Sequence, residues 1–138
     1  MTHPIPIDGF DHIVLRIADK AAMLGFYDGV LGLRVDRDRP ELGLTHIRAG
    51  RQMIDLVTLD GPLGAMGGAP PGREGRNLDH FALQVRPFDE AAIRAHLAAH
   101  GVEVVEEGRR YGADGEGFSL YIRDPEGNTV ELKGPASA

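Results

Sequence analysis

The sequence predicts an α+β fold in which two βαβββ modules form a concave mixed sheet around a metal site. Two observations support this prediction. An Asp-His pair opens an alternating apolar segment twice, at Asp11-His12 and at Asp79-His80. Each pair is followed later in its half by a carboxylate between apolar residues, Asp55 in the first half and Glu131 in the second. The chain of 138 residues is therefore expected to be one domain that contains two related halves.

The first module is expected over about residues 8–59. Alternation predicts a strand over 10–17, with one apolar face (Ile13, Leu15, Ile17) and a second face that carries His12, Val14 and Arg16. Asp19 is a suitable N-cap for a helix whose apolar residues follow a helical spacing, and Gly32 is a suitable stop. Three strands should follow, near 33–38, 43–49 and 52–59.

The second module is expected over about residues 78–133 and repeats this order. It begins with a strand at 78–85 and a helix near 88–100 that ends at Gly101. The remaining strands are predicted near 102–107, 117–123 and 128–133, and Asp124-Pro125-Glu126-Gly127-Asn128 makes the last turn.

Two segments outside these elements have open interpretations. The Gly/Pro-rich connector, residues 60–77, is long enough to be a lid, a binding loop or a flexible linker. Arg109-Arg110-Tyr111 is expected in a glycine-flanked loop, as a solvated turn or as a contribution to a pocket.

The composition excludes several classes of protein. There are no cysteines, which excludes disulfides and thiolate metal sites, so that any metal must be held by imidazole and carboxylate. A formal charge of −6 argues against a nucleic-acid partner. No apolar run approaches the ~20 residues of a membrane span, and the N-terminus lacks a basic region before an apolar stretch. We expect a cytoplasmic protein that has no membrane contact.

The repeated His and acid positions predict a metal site. His12 and His80 open equivalent strands, while Asp55 and Glu131 lie on equivalent closing strands between residues that should face the helices. If a pseudo-twofold axis relates the halves, these four side chains converge. Buried carboxylates are costly unless they are paired or metal-bound, which favours a ligand role. Asp55 is one methylene shorter than Glu131, and is expected to coordinate directly, to act through water, or to leave an open position.

The other polar residues near these positions have less specific interpretations. His96 and His100 lie four apart on the predicted second helix, and His100 is expected to cap its C-terminus. Asp79 is expected to face outward. His46 is a candidate to contact one of the metal ligands without binding the metal itself. Ser119 and Tyr121 share the inward face of their strand, either as substrate contacts or as ordinary sheet residues.

The sequence resembles the vicinal oxygen chelate superfamily, which includes glyoxalase I, fosfomycin-resistance enzymes, extradiol dioxygenases and bleomycin-binding proteins. The similarity covers about residues 8–133. It rests on residues 11–16, on Phe26-Tyr27-Asp28-Gly29-Val30-Leu31-Gly32-Leu33, on residues 78–80 and on residues 124–132. The sequence is most similar to small bacterial glyoxalase-like proteins, some of which are labelled virulence proteins.

The resemblance implies paired modules around a divalent metal (Ni, Zn, Fe, Mn or Co) in a homodimer. The implied ligands are His12, His80 and Glu131, with Asp55 at the position where glyoxalase I has a glutamate. Arg16 matches an arginine that binds a substrate carboxylate in glyoxalase I, and the small-molecule substrate could then be a glutathione adduct. Ser119 and Tyr121 resemble substrate-binding residues of the fosfomycin enzymes.

The leading prediction is a glyoxalase-like lyase or isomerase. It would act on a small vicinal-oxygen substrate, such as an α-keto aldehyde hemithioacetal, through a metal-stabilised enediolate. Glu131 and Asp55 would be the catalytic carboxylates, with Glu131 moving a proton between adjacent carbons. The alternatives are an iron(II) dioxygenase that uses two histidines and one carboxylate, a fosfomycin-type thiol transferase, and a protein that only binds a small molecule.

Overall fold

The computed structural model describes residues 4–137, and the strands form two four-stranded mixed sheets with the same connectivity. The first sheet has the order β1-β4-β3-β2. Its β1 and β4 are parallel, and its other neighbours are antiparallel. The strands are β1 (His12–Ile17), β2 (Val35–Arg39), β3 (Leu44–Ala49) and β4 (Gln52–Thr58).

The second sheet repeats this plan with the order β5-β8-β7-β6. Its β5 and β8 are parallel, and its remaining pairs are antiparallel. The strands are β5 (Phe81–Gln84), β6 (Glu106–Gly112), β7 (Gly115–Arg123) and β8 (Thr129–Lys133). The α+β class and the duplicated strand order are therefore confirmed.

A capped helix follows the first strand of each sheet. The helix α1 (Lys20–Leu24) continues as a π-helical segment (Gly25–Val30), and the third helix, α3, spans Glu90–Ala99. Asp19 and Asp89 are the N-caps, and each carboxylate accepts a hydrogen bond of 3.0 Å from the third residue after it. His100 is the C-cap of α3, as expected. These caps satisfy backbone N–H groups that a helix leaves unpaired at its start.

One hydrophobic cluster joins both sheets to the helices. Leu15 and Ile17 of β1 belong to it together with Leu120 and Ile122 of β7. Tyr27 of the π-helical segment is fully buried, and its ring stacks on that of Phe81 in the second sheet, with 6.5 Å between centroids. The apolar face predicted for β1 therefore packs into the core, which leaves the other face, with His12, outside it.

The turn between β7 and β8 forms hydrogen bonds with residues of the first half of the chain. The Asp124 carboxylate accepts hydrogen bonds from the Tyr27 hydroxyl at 2.7 Å and from the Asn128 side chain at 2.7 Å. The Glu126 carboxylate accepts the backbone N–H groups of Ala18 and Asp19 at 2.8 Å each. Gly127, with φ of +85°, permits the tight turn that places these groups.

The amide of Asn77 ties the edge strand β1 to the second sheet. Its Oδ1 accepts the Arg16 backbone N–H at 3.3 Å, while its Nδ2 donates to the Arg16 carbonyl at 3.1 Å. The same Nδ2 donates to the Asn128 side chain at 3.1 Å. The last residues of the connector therefore lie between the two sheets.

Two predictions about local structure were wrong. The strand predicted at 102–107 begins only at Glu106 and continues to Gly112, so Arg109-Arg110-Tyr111 lies in β6 and not in a loop. The glycines beside these residues suggested a turn. Pairing with β7 along the whole hairpin outweighs that local preference and keeps the segment extended. The connector also contains a short helix, α2 (Pro62–Ala65), and a 3₁₀ turn (Pro40–Leu42) precedes β3. Within residues 4–137, no helix has the length and apolar character needed to cross a bilayer.

Candidate metal centre

Each sheet places one histidine and one carboxylate in the same register. Asp55 on β4 lies opposite Val14, two residues after His12. Glu131 on β8 lies opposite Ala82, two residues after His80. Since side chains two apart on a strand share a face, both histidines lie on the same face as their acids. The His12 Nε2 to Asp55 Oδ2 distance is 3.7 Å, and the His80 Nε2 to Glu131 Oε1 distance is 3.2 Å.

Both carboxylates are buried, and a neighbouring strand holds one oxygen of each. Asp55 is 4% exposed and Glu131 is 5% exposed. His46 Nδ1 lies 2.8 Å from Asp55 Oδ1, and the fully buried Ser119 hydroxyl donates to Glu131 Oε2 at 2.6 Å. The second oxygen of each acid faces the imidazole of its own pair. Buried carboxylates with one oxygen turned to a histidine fit a divalent metal that prefers nitrogen and oxygen ligands.

The aspartate before each histidine orients the imidazole ring. Asp11 Oδ2 lies 2.7 Å from His12 Nδ1, and Asp79 Oδ2 lies 2.6 Å from His80 Nδ1. This contact leaves Nε2 of each ring directed at the buried acid, as in metal sites where an outer carboxylate fixes the ring. The hydrogen bond with Asp11, reinforced by the Asp55 charge, raises the pKa of His12 above its usual value. The sequence analysis missed this role, although the repeated Asp-His pair was the signal for it.

The structure brings together His12 with Asp55, and His80 with Glu131. Among residues 4–137 of one chain, however, no group of three or more His, Asp or Glu side chains is placed to hold a metal ion. One chain therefore presents two half-sites, the His12–Asp55 pair on the first sheet and the His80–Glu131 pair on the second. The convergence of all four side chains stays a prediction.

Arg16 lies on the same strand face as His12, but its guanidinium is engaged by the connector. It donates to the carbonyl oxygens of Gly64, Ala69 and Gly68 at 3.2, 3.0 and 2.7 Å. A Cβ added at Gly67 would lie 2.5 Å from the guanidinium, so this glycine permits the close approach. Arg16 thus fixes the connector, and its contact with a substrate carboxylate stays a prediction.

Ser119 and Tyr121 both belong to the surroundings of the second half-site. The Tyr121 ring lies against that of His80, with 5.7 Å between centroids. Arg110 donates to the Tyr121 hydroxyl at 3.2 Å, and its guanidinium lies 5.4 Å from the ring centroid. Burial, followed by the nearby Glu131 carboxylate, raises the pKa of Tyr121, and the Arg110 charge opposes this shift. The sequence placed Arg110 in a loop, but a contribution to a pocket was one of the two interpretations given for it.

A cavity of about 440 Å³ opens beside the second half-site. Its lining includes His80, Tyr121, Glu106, Arg76 and Arg123. The space is large enough for a small organic molecule to reach His80. His96 and His100 lie elsewhere, and each hydrogen-bonds a backbone carbonyl, that of Val30 at 2.7 Å and that of His96 at 2.9 Å.

The chain is similar to curated proteins along most of its length. Virulence protein STM3117 of Salmonella typhimurium is 30% identical over 131 residues, which cover 91% of this chain and 83% of that protein. Its crystal structure matches with a TM-score of 0.78 at 27% identity, and the match covers 96% of this chain and 100% of the other. Glyoxalase domain-containing protein RDO1 of Mycosarcoma maydis is 27% identical over 139 residues, which cover 93% of this chain and 69% of that protein.

The chain is also similar to a solved structure that is named as an enzyme. The crystal structure of lactoylglutathione lyase from Agrobacterium tumefaciens matches with a TM-score of 0.68 at 26% identity, and the match covers 94% of this chain and 95% of the other. A family model described as Glyoxalase/Bleomycin resistance protein/Dioxygenase superfamily matches residues 9–132, a range that contains both half-sites. Together with the two mixed sheets and their equivalent His–acid pairs, this match shows that the chain belongs to the glyoxalase/bleomycin resistance protein/dioxygenase superfamily.

Proposed function

We propose that this protein is a divalent-metal-dependent lyase or isomerase of the glyoxalase type. Its substrate would be a small molecule with oxygens on adjacent carbons, such as the hemithioacetal of an α-keto aldehyde. The observation that carries the proposal is the equivalent placement of two imidazoles and two buried carboxylates, with distances of 3.7 and 3.2 Å within the pairs. The similarity to a structure named lactoylglutathione lyase supports this reaction class.

The proposed working unit is a homodimer in which the His12–Asp55 half-site of one protomer faces the His80–Glu131 half-site of its partner. The surface next to His12 supports this arrangement, because its apolar side chains are exposed to solvent: Ile7 by 82%, Phe10 by 84% and Val14 by 49%. Large apolar side chains grouped on a surface are typical of an interface. A second copy would cover them and at the same time supply the ligands that one half-site lacks.

The chain's own residues suit proton transfer between adjacent carbons. A divalent ion held by the four side chains would polarise a substrate carbonyl and stabilise negative charge that develops on its oxygen. Glu131 would take a proton from one carbon and return it to the next, through the carboxylate oxygen that faces His80. The Ser119 hydroxyl would keep the carboxylate in place during this transfer, since it binds the other oxygen at 2.6 Å. The Tyr121 ring would shield the site from water on one side.

One observation favours a second candidate function, an iron(II) dioxygenase. Asp55 is held by His46 at 2.8 Å and lies farther from its histidine than Glu131 does. If Asp55 stays off the metal, His12, His80 and Glu131 form the two-histidine, one-carboxylate set of non-haem iron oxygenases. The thiol transferase and the binding protein remain less supported alternatives.

Metal analysis of protein purified without added ions tests the proposal. We expect nickel, zinc or a related divalent ion, together with isomerisation of methylglyoxal hemithioacetal, in a preparation that sediments as a dimer. Bound iron with catechol-dependent oxygen uptake would support the dioxygenase instead. No metal retention after incubation with each of these ions would contradict both.

A mixing experiment tests whether two protomers share each site. The His12→Ala and His80→Ala variants should each lose metal retention and activity. Subunit exchange between them creates heterodimers in which one of two sites has both histidines, and we expect recovery to roughly one quarter of the wild-type value in a twofold dimer. If each site lay within one chain, mixing would recover nothing.

A further inference from the structure

A second cavity shares part of its lining with the cavity beside His80. The second cavity has a volume of about 470 Å³ and lies between the π-helical segment and the connection from α3 to β6. Val105 and Arg123 line both cavities. The two cavities therefore adjoin at Val105 and Arg123, and together they are defined here as the β7 groove.

Arg123 is the side chain at the junction of the β7 groove. It follows Tyr121 by two residues on β7 and therefore points to the same face of the sheet as the tyrosine beside His80. Within residues 4–137 its guanidinium makes no hydrogen bond and no ion pair. A planar guanidinium with its N–H groups unused is suited to bind a carboxylate through two parallel hydrogen bonds.

Three of the acidic residues that line the two cavities have partners. Asp79 contacts His80 at 2.6 Å, and Glu106 lies 3.6 Å from the Arg110 guanidinium. Asp124, in the second cavity, is buried and binds the Tyr27 hydroxyl. Glu103 also lines the second cavity. Among the described residues the Arg123 guanidinium pairs with none of these four carboxylates, so its positive charge is available to a ligand. A ligand with one negative charge is favoured over a dianion, because a second negative charge would be repelled by the carboxylates that line the same cavities.

The second cavity of the β7 groove has a mixed lining. Phe26, Val30, Val102 and Val105 supply its apolar part, while His100, Glu103 and Asp124 supply polar groups. A hydrocarbon body placed here would gain roughly 25 cal/mol for each Å² of apolar surface that it buries. The β7 groove therefore combines a candidate metal ligand, an arginine with no hydrogen bond or ion pair among the described residues, and an apolar surface.

We infer that the β7 groove binds an organic monocarboxylate whose carboxylate pairs with Arg123 and whose apolar body lies against Phe26, Val30 and Val102. One part of this inference rests on the proposed function: the idea that the other end of the ligand carries oxygens on adjacent carbons and reaches His80. The substrate class would then be an oxygenated carboxylic acid with an apolar tail, larger than a three-carbon α-keto aldehyde. The part of the inference that concerns Arg123 and the apolar pocket does not depend on a metal.

The test is a binding measurement on the full-length, metal-free protein by isothermal titration calorimetry, with 4-phenylbutyrate and its uncharged amide as probes. Neither probe carries vicinal oxygens, so neither needs a metal. We expect the acid to bind at least about tenfold more tightly than the amide, as a charge-assisted pair predicts. Arg123→Gln should remove this difference, and Arg123→Lys should restore part of it. The matched control is Arg48→Gln, which removes an exposed arginine from the first sheet.

A second variant tests the apolar end of the groove. Val102→Phe should fill the pocket, weaken 4-phenylbutyrate and leave acetate binding unchanged, while circular dichroism checks that the variant folds. Equal affinity of acid and amide, wild-type affinity in Arg123→Gln, or no binding of 4-phenylbutyrate would each overturn the inference. These results would leave the proposed function standing if the protein still retains a metal. Loss of metal binding alone would leave the carboxylate site standing.

Discussion

The two half-sites share a backbone plan and differ in how tightly the acid is placed. In both, an aspartate orients the histidine through Nδ1 and the acid lies opposite the second residue after that histidine. In the second sheet the longer Glu131 comes within 3.2 Å of its histidine, whereas the shorter Asp55 remains at 3.7 Å. The duplicated backbone therefore keeps two candidate ligand positions equivalent, while the difference of one methylene changes how close each acid comes to its histidine.

The partner of each acid also differs between the sheets. Glu131 receives a hydroxyl hydrogen bond from Ser119, which is fully buried, while Asp55 contacts His46, whose side chain is 20% exposed. A hydrogen bond that is shielded from water is stronger than one that is open to it. The second half-site is therefore expected to hold its carboxylate more firmly than the first.

The largest expected effect comes from removing each acid in turn. Glu131→Ala should abolish metal retention, because it deletes the closer ligand. Asp55→Ala should cause a smaller loss of affinity, since this carboxylate is shorter and already shared with His46. Competition with a chromogenic chelator measures both, and Glu41→Ala, an exposed carboxylate on the 3₁₀ turn, is the control. Equal losses would show that the two acids are equivalent ligands and would contradict the stronger role expected for Glu131.

An intermediate loss of metal affinity is expected when Ser119 or His46, which contact the two acids, is replaced. Ser119→Ala should weaken metal binding by roughly 10–100-fold, the usual range for partners that orient a metal ligand. His46→Phe should weaken it less, because His46 is partly open to water and its loss lets water solvate Asp55. The Ser119→Ala change should also lower the free energy of unfolding by about 1–3 kcal/mol, since it leaves a buried carboxylate oxygen without its donor. Chemical denaturation of the metal-free protein measures this, and an unchanged unfolding free energy would contradict the hydrogen bond.

The smallest expected effect concerns the pKa of His12. Asp11 is the main cause of the raised pKa, so Asp11→Asn should move it back towards the usual value of 6.5. A pKa that is higher in the folded state gives stability that is complete below the unfolded value and is lost as pH rises through the folded value. Proton NMR titration of the imidazole in the metal-free protein checks the shift. The same pKa in both proteins would show that Asp11 does not hold the ring in solution.

The sequence predicted those features that follow from local patterns. The Asp-His repeats, the apolar alternation of β1 and the cap at Asp19 each depend on neighbours within a few residues, and the structure contains all three. The histidine–acid pairing was also predictable, because strand period and module repetition place both side chains on one face.

The remaining features depend on contacts between distant parts of the chain. Arg16 was assigned to a substrate, but its contacts with Gly64, Gly68 and Ala69 arise from the path of the connector, which no local pattern reveals. Arg110 was placed in a loop because glycines on either side of it looked like turn residues. Its pairing with β7 decides its position, and such pairing is set by tertiary packing.

The side-chain amide of Asn77 has a consequence for how copies of this protein meet one another. β1 is the outermost strand of its sheet, and an outermost strand exposes N–H and C=O groups that can recruit a strand from another molecule. Asn77 occupies both backbone groups of Arg16, in the manner of a single peptide unit laid against the strand. The amide therefore blocks pairing of another strand at this part of the edge, and we expect it to disfavour edge-to-edge aggregation there. It does not cover the His12 end of β1.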